Sequence, residues 1–459
     1  MRSLIAIATA AVLMVSAGPA LAQTPTPTPT PTPATQDDDP VIDLEGGRES
    51  QLPIIIPVMP TNQAVSTAAG STDALGRQLA SIIDDDLRNT GLFKTVGPNA
   101  ARPIAYGEVA TPDYESWSAY ASQALVQGYV RANGDGTLTV GCYVYDVASR
   151  RQLIREGWVV KPSEWRRAAH KCADVIYTRL SGDGPYFDSQ VVYISETGPK
   201  NRRIKRLAIM DQDGANHQFL TNGQRIVLTP RLSPDQRSIL FMSYENRRPT
   251  IYILDRASRQ QRVVLGSEAI NLSFAPRFSP DGRWILFSMA TAGNTDLYRV
   301  AAGGGTPQRL TNSPGIDTGG SYSPDGSKIV FESDRGGTQQ LYVMDANGAN
   351  QHRISFGGGR YATPSWSPRG DLIAFTRTGG GSFRVGVMSP GGGGERLLTE
   401  SWGDEAPSWA PNGRVLMFFR AARGSGRPDL WSVDLTSGFT RKIPTPLDGS
   451  DPSWGPIRP

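Results

Sequence analysis

Hydrophobic residues follow two different patterns along the chain, and the change falls near residue 185. Before it, residues 54–58 form an apolar run suited to a buried strand. Apolar residues then recur at helical spacing from Leu75 to Leu87, with Gly91 beyond them as a terminator. After residue 185, short apolar runs alternate with turn residues, which is the pattern of a β-rich region.

The first pattern continues as a mixture of strands and one more helix. Residues 124–131 and 138–147 suit two strands around the turn 133–136, whose Asn-Gly-Asp-Gly sequence favours a hairpin. Residues 153–160 suit a further strand, and Ser163 is a candidate N-cap for a helix over residues 164–180. Together these patterns predict a compact α/β domain over residues 51–183.

The second pattern is a repeat. A turn of the type Ser-Pro-Asp-Gly, or a near copy, occurs five times at spacings of 46, 44, 44 and 43 residues, and its composition suits a type I turn. After each turn come a β run, a strand ending near an Asp, and a short closing strand. A period of about 40 to 50 residues is typical of propeller blades, so residues 187–459 are expected to form a β-propeller of WD40-like or PD40 repeats. The turns lie at residues 233–235, 279–282, 323–326, 367–370 and 410–413.

A sixth repeat is divided between the two ends of this region. Residues 191–194, 206–211 and 218–221 match the second, third and fourth strands of a blade, but no turn precedes them. Residues 451–456 resemble the segment 406–411, but no blade follows them. The last segment is therefore expected to supply the innermost strand of the first blade. This would close a six-bladed ring and remove its open strand edges.

The first 50 residues are set apart from both patterns. A positive start at Arg2, an apolar run over residues 4–15 and the small residues 20–22 predict a secretory signal over residues 1–22; a membrane anchor would need about 20 apolar residues. Residues 24–33 alternate Thr and Pro, which favours an extended polyproline II spacer within residues 23–50. No later stretch could span a bilayer, so a soluble exported protein is expected.

Charge and cysteine content narrow the possible functions. Lys and Arg number 47 against 43 Asp and Glu, and this small excess is spread along the chain, so a nucleic-acid partner is not expected. The two cysteines, Cys142 and Cys172, each fall on an apolar face, one of a strand and one of a helix. Export permits a disulfide between them, and a pair of buried free thiols fits the pattern equally well.

Motifs that carry catalysis are not found in the sequence. The three histidines have no spacing suggestive of a metal site or a triad, and no H-E-x-x-H or G-x-S-x-G is present. The glycines at 303–305 and 391–394 lack the Lys-Ser/Thr of a phosphate loop and suit turns between strands. The repeated Asp residues suit turn capping. The chain is therefore expected to be a binding protein with no catalytic residue, cofactor or metal; the alternative is a six-bladed propeller hydrolase or lactonase.

A docking surface is expected where the innermost strands begin, at one mouth of the channel. Small residues and prolines there leave the backbone accessible, and Arg277, Asp317, Asp404 and Glu405 add charge for a partner. The Ala-Pro pairs equally suit a tight entry into each innermost strand.

The order of these parts resembles the TolB family, a periplasmic component of the Tol-Pal system. The resemblance is carried by the leader, Val-Ile-Asp-Leu-Glu-Gly-Gly at 41–47, the run 54–57, and Asp-Leu-Arg-Asn-Thr-Gly at 86–91. Trp117, Gly128, Trp165 and the six repeats complete it. In this chain a Thr-Pro spacer and an acidic run precede the 41–47 segment, whereas the family has this segment at or near the mature N-terminus.

The resemblance implies a non-enzymatic periplasmic adaptor that is monomeric and reaches the envelope through its partners. Those partners are the lipoprotein Pal at the propeller mouth and the inner-membrane protein TolA at the N-terminal segment, in a system that keeps the outer membrane attached and constricting during division. The TolA-binding residues would pair as an added strand; they are Val41, Ile42, Asp43, Leu44 and Glu45. The Pal-facing residues would be Ala275, Pro276, Arg277, Asp317, Thr318, Ala362, Thr363, Asp404 and Glu405.

Overall fold

The computed structural model describes residues 51–245, 248–265, 272–291, 293–424 and 426–459. The leader, the Thr-Pro spacer and the predicted TolA-binding segment lie outside the described residues. Within the described ranges, no helix combines the length and the apolar character needed to cross a membrane.

The α/β region is built on a five-stranded sheet with residues packed on both faces. The strand order is β4-β1-β5-β6-β7, in which β1 pairs in parallel with β4 and β5 and the later strands are antiparallel. One face packs against helices α1 and α3, and the other against a smaller cluster around Trp117. The elements are β1 (Leu52–Ile55), β2 (Ser66–Thr67), β3 (Gly70–Ser71), α1 (Thr72–Arg88), β4 (Phe93–Val96), α2 (Tyr114–Ser118), β5 (Ala124–Ala132), β6 (Leu138–Asp146), β7 (Arg151–Val160) and α3 (Trp165–Ser181).

The ends of the two long helices show which local signals operate. Ser71 caps α1 by accepting the N–H of Ala74, and the helix ends at Arg88, before the predicted terminator Gly91. The prediction that Ser163 caps the second helix is wrong. Residues Pro162–Glu164 instead form a short 3-10 turn, so α3 begins at Trp165 without a side-chain cap. Gly182, with φ of 75°, ends α3 in the left-handed conformation that glycine adopts without strain.

The two cysteines are joined. Cys142 of β6 and Cys172 of α3 form a disulfide with an S–S distance of 2.02 Å. Both are fully buried in the core between the sheet and the helices. The alternation on the strand and the helical stripe placed them on one core, and the structure decides between the two alternatives that the sequence left open.

Six four-stranded antiparallel sheets follow within the described residues, and they are the blades of the predicted propeller. The first blade contributes three strands before the five complete blades. In chain order the strands are β8 (Ser189–Thr197), β9 (Ile204–Asp211) and β10 (Gln218–Phe219) of blade 1; β11 (Val227–Leu232), β12 (Ser238–Glu245), β13 (Arg248–Asp255) and β14 (Gln261–Leu265) of blade 2; β15 (Leu272–Phe278), β16 (Trp284–Thr291), β17 (Asn294–Ala301) and β18 (Gln308–Arg309) of blade 3; β19 (Asp317–Tyr322), β20 (Lys328–Ser333), β21 (Gln340–Asp345) and β22 (His352–Arg353) of blade 4; β23 (Arg360–Trp366), β24 (Ile373–Gly379), β25 (Ser382–Met388) and β26 (Arg396–Leu397) of blade 5; and β27 (Asp404–Trp409), β28 (Val415–Ala421), β29 (Pro428–Asp434) and β30 (Thr440–Lys442) of blade 6.

The repeated Ser-Pro-Asp-Gly turn joins the first and second strands of a blade through its side chains. In blade 4 the Ser323 hydroxyl donates to Asp325, whose carboxylate accepts the N–H of Ser327 at 3.0 Å. Ser323 Oγ in turn accepts the N–H of Lys328 at 2.9 Å. The aspartates of these turns are therefore capping groups, as their composition predicted.

The last strand, β31 (Asp448–Ile457), closes the ring. It pairs antiparallel with β8, giving blade 1 the order β10-β9-β8-β31. Trp454 Nε1 donates to Ser189 Oγ at 2.8 Å, and Arg458 forms ion pairs with Asp188 at 2.6 Å and Asp211 at 3.1 Å. The division of one blade between the two ends of the region is thereby confirmed.

Removing residues 451–459 should lower the melting temperature of the propeller markedly, because it takes away most of the strand that pairs with the inner edge of β8 and leaves Asp188 without the guanidinium of Arg458. Deletion of nine residues from the Thr-Pro segment, 24–32, is a control of equal length. Thermal melts followed by circular dichroism would test this. Coincident melting curves for the two deletions would refute the closure model.

Candidate functional site

The channel mouth is shaped by one backbone irregularity that recurs in all six described blades. Each innermost strand is interrupted by a register shift, and the residue at the interruption has a positive φ. Five of these six residues are not glycine, and the left-handed conformation is strained for them, typically by about 1–3 kcal/mol each. We call these residues the left-handed ring; they are Thr229, Ala275, Gly319, Thr363, Ala406 and Asp451.

Neighbouring blades hold the left-handed ring in place by accepting its backbone N–H groups. The N–H of Thr363 donates to Glu332 at 2.6 Å, and the N–H of Ala406 donates to Thr376 Oγ1 at 3.2 Å. Burial raises the pKa of Glu332, although its hydrogen bonds oppose the shift. These hydrogen bonds join the left-handed residues of blades 5 and 6 to the preceding blades.

Two of the predicted partner-facing carboxylates do not reach the surface. Asp317 and Asp404 are fully buried, and each pairs with an arginine of its own blade: Asp317 with Arg335 at 2.7 Å and Asp404 with Arg420 at 2.6 Å. The expectation that these side chains add charge for a partner is therefore wrong. They are structural ion pairs at the start of the innermost strands.

The other predicted mouth residues lie at or just inside the channel entrance. Ala275, Thr318, Ala362, Thr363 and Glu405 are half-buried there, whereas Pro276 is buried. Burial raises the pKa of Glu405, and the nearby Asp451 raises it further. Arg277 points deeper, into the channel itself. Whether any of them contacts a partner stays a prediction.

On the face where the mouth opens, the connections between one blade's outermost strand and the next blade's innermost strand carry exposed apolar side chains that the sequence reasoning missed. Each precedes the innermost strand of its blade. A large apolar residue inside a glycine-rich connection, as in Trp402-Gly403 or Phe356 before three glycines, was the available signal. We call these side chains the apolar rim; among the described residues they are Ile226 (49% exposed), Ile316 (52%), Phe356 (72%) and Trp402 (42%).

The α/β domain packs on the opposite face of the ring. Its contacts are with the turns that follow the innermost strands and with those between third and fourth strands. Arg369 pairs with Asp183 at 2.8 Å, and the Ser437 hydroxyl donates to the carbonyl of Thr90 at 2.6 Å. Because each innermost strand crosses the ring from one face to the other, its start at the mouth is remote from these turns. The mouth is therefore free of the α/β domain.

A buried histidine lies where the two domains meet. His170 of α3 is fully buried, and its Nδ1 lies 2.6 Å from Asp86 of α1. Gln212 of blade 1 donates to the other oxygen of Asp86 at 2.8 Å. Burial alone would lower the pKa of His170, but the charge and hydrogen bond of Asp86, with smaller contributions from Asp213 and Asp211, raise it to about 9.

Three side chains at this junction carry ligand atoms of the types that bind metals. Ligand atoms of His170, Asp211 and Asp213 lie within 4.8 Å of one another. However, Asp211 accepts from Arg458 at 3.1 Å and Asp213 is paired with Arg166. Because arginines already balance the carboxylates, the arrangement suits an ion-pair network around a protonated histidine better than a metal site. Sequence spacing could not reveal this ion-pair network, because its members come from three distant segments of the chain: 166–170, 211–213 and Arg458.

Comparison with known proteins agrees with this architecture. A family model described as the TolB β-propeller domain matches residues 177–458, and one described as the TolB amino-terminal domain matches residues 40–153. The chain belongs to the TolB family. The family resemblance and the six-bladed fold that the sequence predicted are confirmed.

Several TolB-family relatives match along most of their length. "Tol-Pal system protein TolB" of Zymomonas mobilis subsp. mobilis is 59% identical over 418 residues, which is 91% of each chain. The protein of the same name from Rhizorhabdus wittichii is 64% identical over 91% of this chain and 94% of its own. The crystal structure of TolB from Acinetobacter baumannii superposes with a TM-score of 0.77 at 29% identity, covering 89% of this chain and 98% of that one.

The junction histidine predicts a pH-dependent stability. A group whose folded pKa is raised from 6.5 to about 9 stabilises the fold fully below pH 6.5, and this contribution is lost as pH rises through 9. Its size is up to about 3 kcal/mol. Chemical denaturation at pH 6.5 and pH 9.5 should show a smaller fall in the free energy of unfolding for His170→Gln than for the wild type. The exposed His352→Gln serves as control, and parallel pH profiles for wild type and His170→Gln would contradict the prediction.

Proposed function

We propose that this TolB-family protein is a non-enzymatic periplasmic adaptor of the Tol-Pal system that binds Pal at the propeller mouth and TolA through residues 41–49. In this role it maintains the outer membrane and its constriction during cell division. The observation that carries the docking part of the proposal is the apolar rim around a mouth that the α/β domain leaves uncovered. Membership of the Tol-Pal system follows from the family.

The apolar rim has the character of a surface for a folded protein partner. Large exposed apolar side chains grouped on one face are unusual in a monomer and mark interaction sites. Phe356 and Trp402 are of the types enriched at protein interfaces, where such side chains contribute most of the binding energy. The left-handed ring supports the same interpretation, because strained backbone conformations concentrate at functional sites.

The TolA-type segment adjoins the α/β domain in the sequence. Residues 41–45 immediately precede the α/β domain, whose first strand begins at Leu52. That domain packs on the face of the ring away from the mouth, as its contacts through Asp183 and Thr90 show.

The mouth carboxylates support an adaptor more than a hydrolase. Asp317 and Asp404 are neutralised by arginines, and Glu332 accepts from Thr363 and Thr318 at 2.6 and 3.2 Å. A general acid or base needs a proton-transfer position open to substrate. These three carboxylates are used to hold the strands instead.

Truncating the apolar rim should weaken Pal binding. Phe356→Ala and Trp402→Ala remove exposed aromatic surface that a partner would bury, and each is expected to raise the Kd for Pal about 10- to 100-fold. Isothermal titration calorimetry with purified Pal would measure this. Phe219→Ala is a matched control, because Phe219 is 46% exposed on the outer strand of blade 1, away from the mouth. Equal affinities for the rim variants and the control would exclude the rim as the docking surface.

Removing residues 41–50 should abolish TolA binding and spare or strengthen Pal binding. The deletion takes away the strand that would pair with TolA but leaves the described propeller intact. A pull-down with TolA and with Pal as separate baits would test both effects. Removal of residues 24–33 controls for the loss of ten residues from the same region. TolA binding retained by the 41–50 deletion would contradict the assignment.

A further inference from the structure

Below the mouth, one equivalent position of the six innermost strands forms a second ring inside the channel. Each member lies two residues after a member of the left-handed ring. All six line one cavity of about 240 Å³. We call them the channel ring; in the order of blades 2 to 6 and then 1 they are Arg231, Arg277, Ser321, Ser365, Ser408 and Ser453.

The two arginines place positive charge in this cavity without a close counter-charge. Arg231 Nη1 donates to the carbonyl of Pro230 at 2.7 Å, and its Nε has no partner. Arg277 reaches across the channel, with Nη1 lying 3.5 Å from Ser365 Oγ. Within the described part of the chain, neither guanidinium forms an ion pair at 4.0 Å or less. Burial lowers the pKa of both arginines, and the charge of Arg231 lowers that of Arg277 further.

The serines of the channel ring add hydrogen-bond donors. Ser321 Oγ accepts the backbone N–H of Trp366 at 3.2 Å, and Ser408 Oγ accepts that of Trp454 at 2.9 Å. A hydroxyl that accepts a hydrogen bond keeps its own proton for donation elsewhere. The channel ring therefore combines two guanidinium groups with hydroxyl donors.

The carboxylates that face the channel belong to the layer above. The charge of Glu332 raises the pKa of Arg277, and the charge of Asp451 raises the pKa of Arg231; both effects oppose that of burial. Each of these carboxylates also accepts a hydrogen bond from the left-handed ring. Glu332 accepts the N–H of Thr363 at 2.6 Å, and Asp451 is hydrogen-bonded by the backbone of Thr229. The channel thus has carboxylates near the mouth and two guanidinium groups deeper, on the innermost strands of blades 2 and 3.

We propose that the channel ring binds an oxyanion, a carboxylate or a phosphate group, between Arg231 and Arg277. Planar guanidinium groups recognise these anions with paired hydrogen bonds. The cavity is smaller than the roughly 300–1,000 Å³ of pockets for drug-sized ligands, so it suits a small ion or one acidic side chain. The anion is supplied free in solution or by an acidic side chain of a partner segment that enters the mouth. The second source rests on the function proposed above.

Thermal melts of the full protein in sodium phosphate and in sodium chloride of equal ionic strength test the site directly. Phosphate binding to the native state should raise the melting temperature by about 1–3 °C. The shift should be lost in the double variant Arg231→Gln, Arg277→Gln and kept in Arg283→Gln, whose side chain is 83% exposed outside the channel. An equal shift in the double variant, or none in the wild type, would overturn the proposal.

A milder substitution keeps the test decisive if the double variant fails to fold by circular dichroism. Arg277→Lys retains the charge but removes the fork of donors, so phosphate should bind at least about tenfold more weakly by isothermal titration calorimetry. Unchanged phosphate affinity in this variant would also overturn the proposal.

Pal binding in the two buffers distinguishes the sources of the anion. If an acidic side chain of Pal fills the channel ring, phosphate should raise the Kd for Pal in the wild type but not in the arginine variant. If the anion is free, phosphate should leave that Kd unchanged, and the phosphate shift should persist in the Pal complex. Weakening by phosphate that is equal in wild type and variant would exclude the channel ring as its cause. Absence of Pal binding would overturn the proposed function and leave the melting experiment interpretable.

Discussion

The antiparallel pairing of β31 with β8 is the interaction on which the rest of the structure depends. A propeller blade buries its apolar faces only between neighbours, and without β31 the inner edge of β8 in blade 1 would be exposed. Pairing of Trp454 with Val191 completes blade 1 and places the Trp454 indole against Tyr186, with ring centroids 6.0 Å apart. The pairing of β31 with β8 therefore closes the ring and forms part of the surface against which the α/β domain packs.

The same strand end ties the two domains together. Arg458 pairs with Asp188, and Arg167 of α3 donates to the same carboxylate at 3.1 Å and to the carbonyl of Pro459 at 2.8 Å. A single apolar core continues from the sheet and helices into blades 1 and 6. A buried carboxylate without a positive partner destabilises the fold. Because Asp188 pairs with Arg458 at the ring closure and with Arg167 of the α/β domain, it couples ring closure to domain packing.

Much of the fold could be predicted from the sequence because the signals were local. The period of the Ser-Pro-Asp-Gly turns and the unmatched segments at the two ends were enough to predict a closed ring of six blades. Contacts between distant segments were not predictable in this way. Asp317 pairs with Arg335 of the turn after the second strand, and Asp404 pairs with Arg420 of the second strand. Because these arginines are 16 to 18 residues away in the sequence, the sequence analysis treated both carboxylates as free to bind a partner. His170 gave no signal because Asp86 and Gln212 meet it only after folding.

The structure distributes the predicted mouth residues between the entrance, the channel and the blade interior, and the reason lies in the backbone. A left-handed residue in each innermost strand shifts the register by one step, so simple alternation no longer tells which residues face the channel. Arg231 and Arg277 line the cavity, each two residues after the left-handed residue of its strand. The strand β31 shows the consequence for function: Asp451 lies at the mouth and Trp454 at the domain junction, three residues apart. The strand that closes the ring therefore contributes both to the mouth and to the contact with the α/β domain.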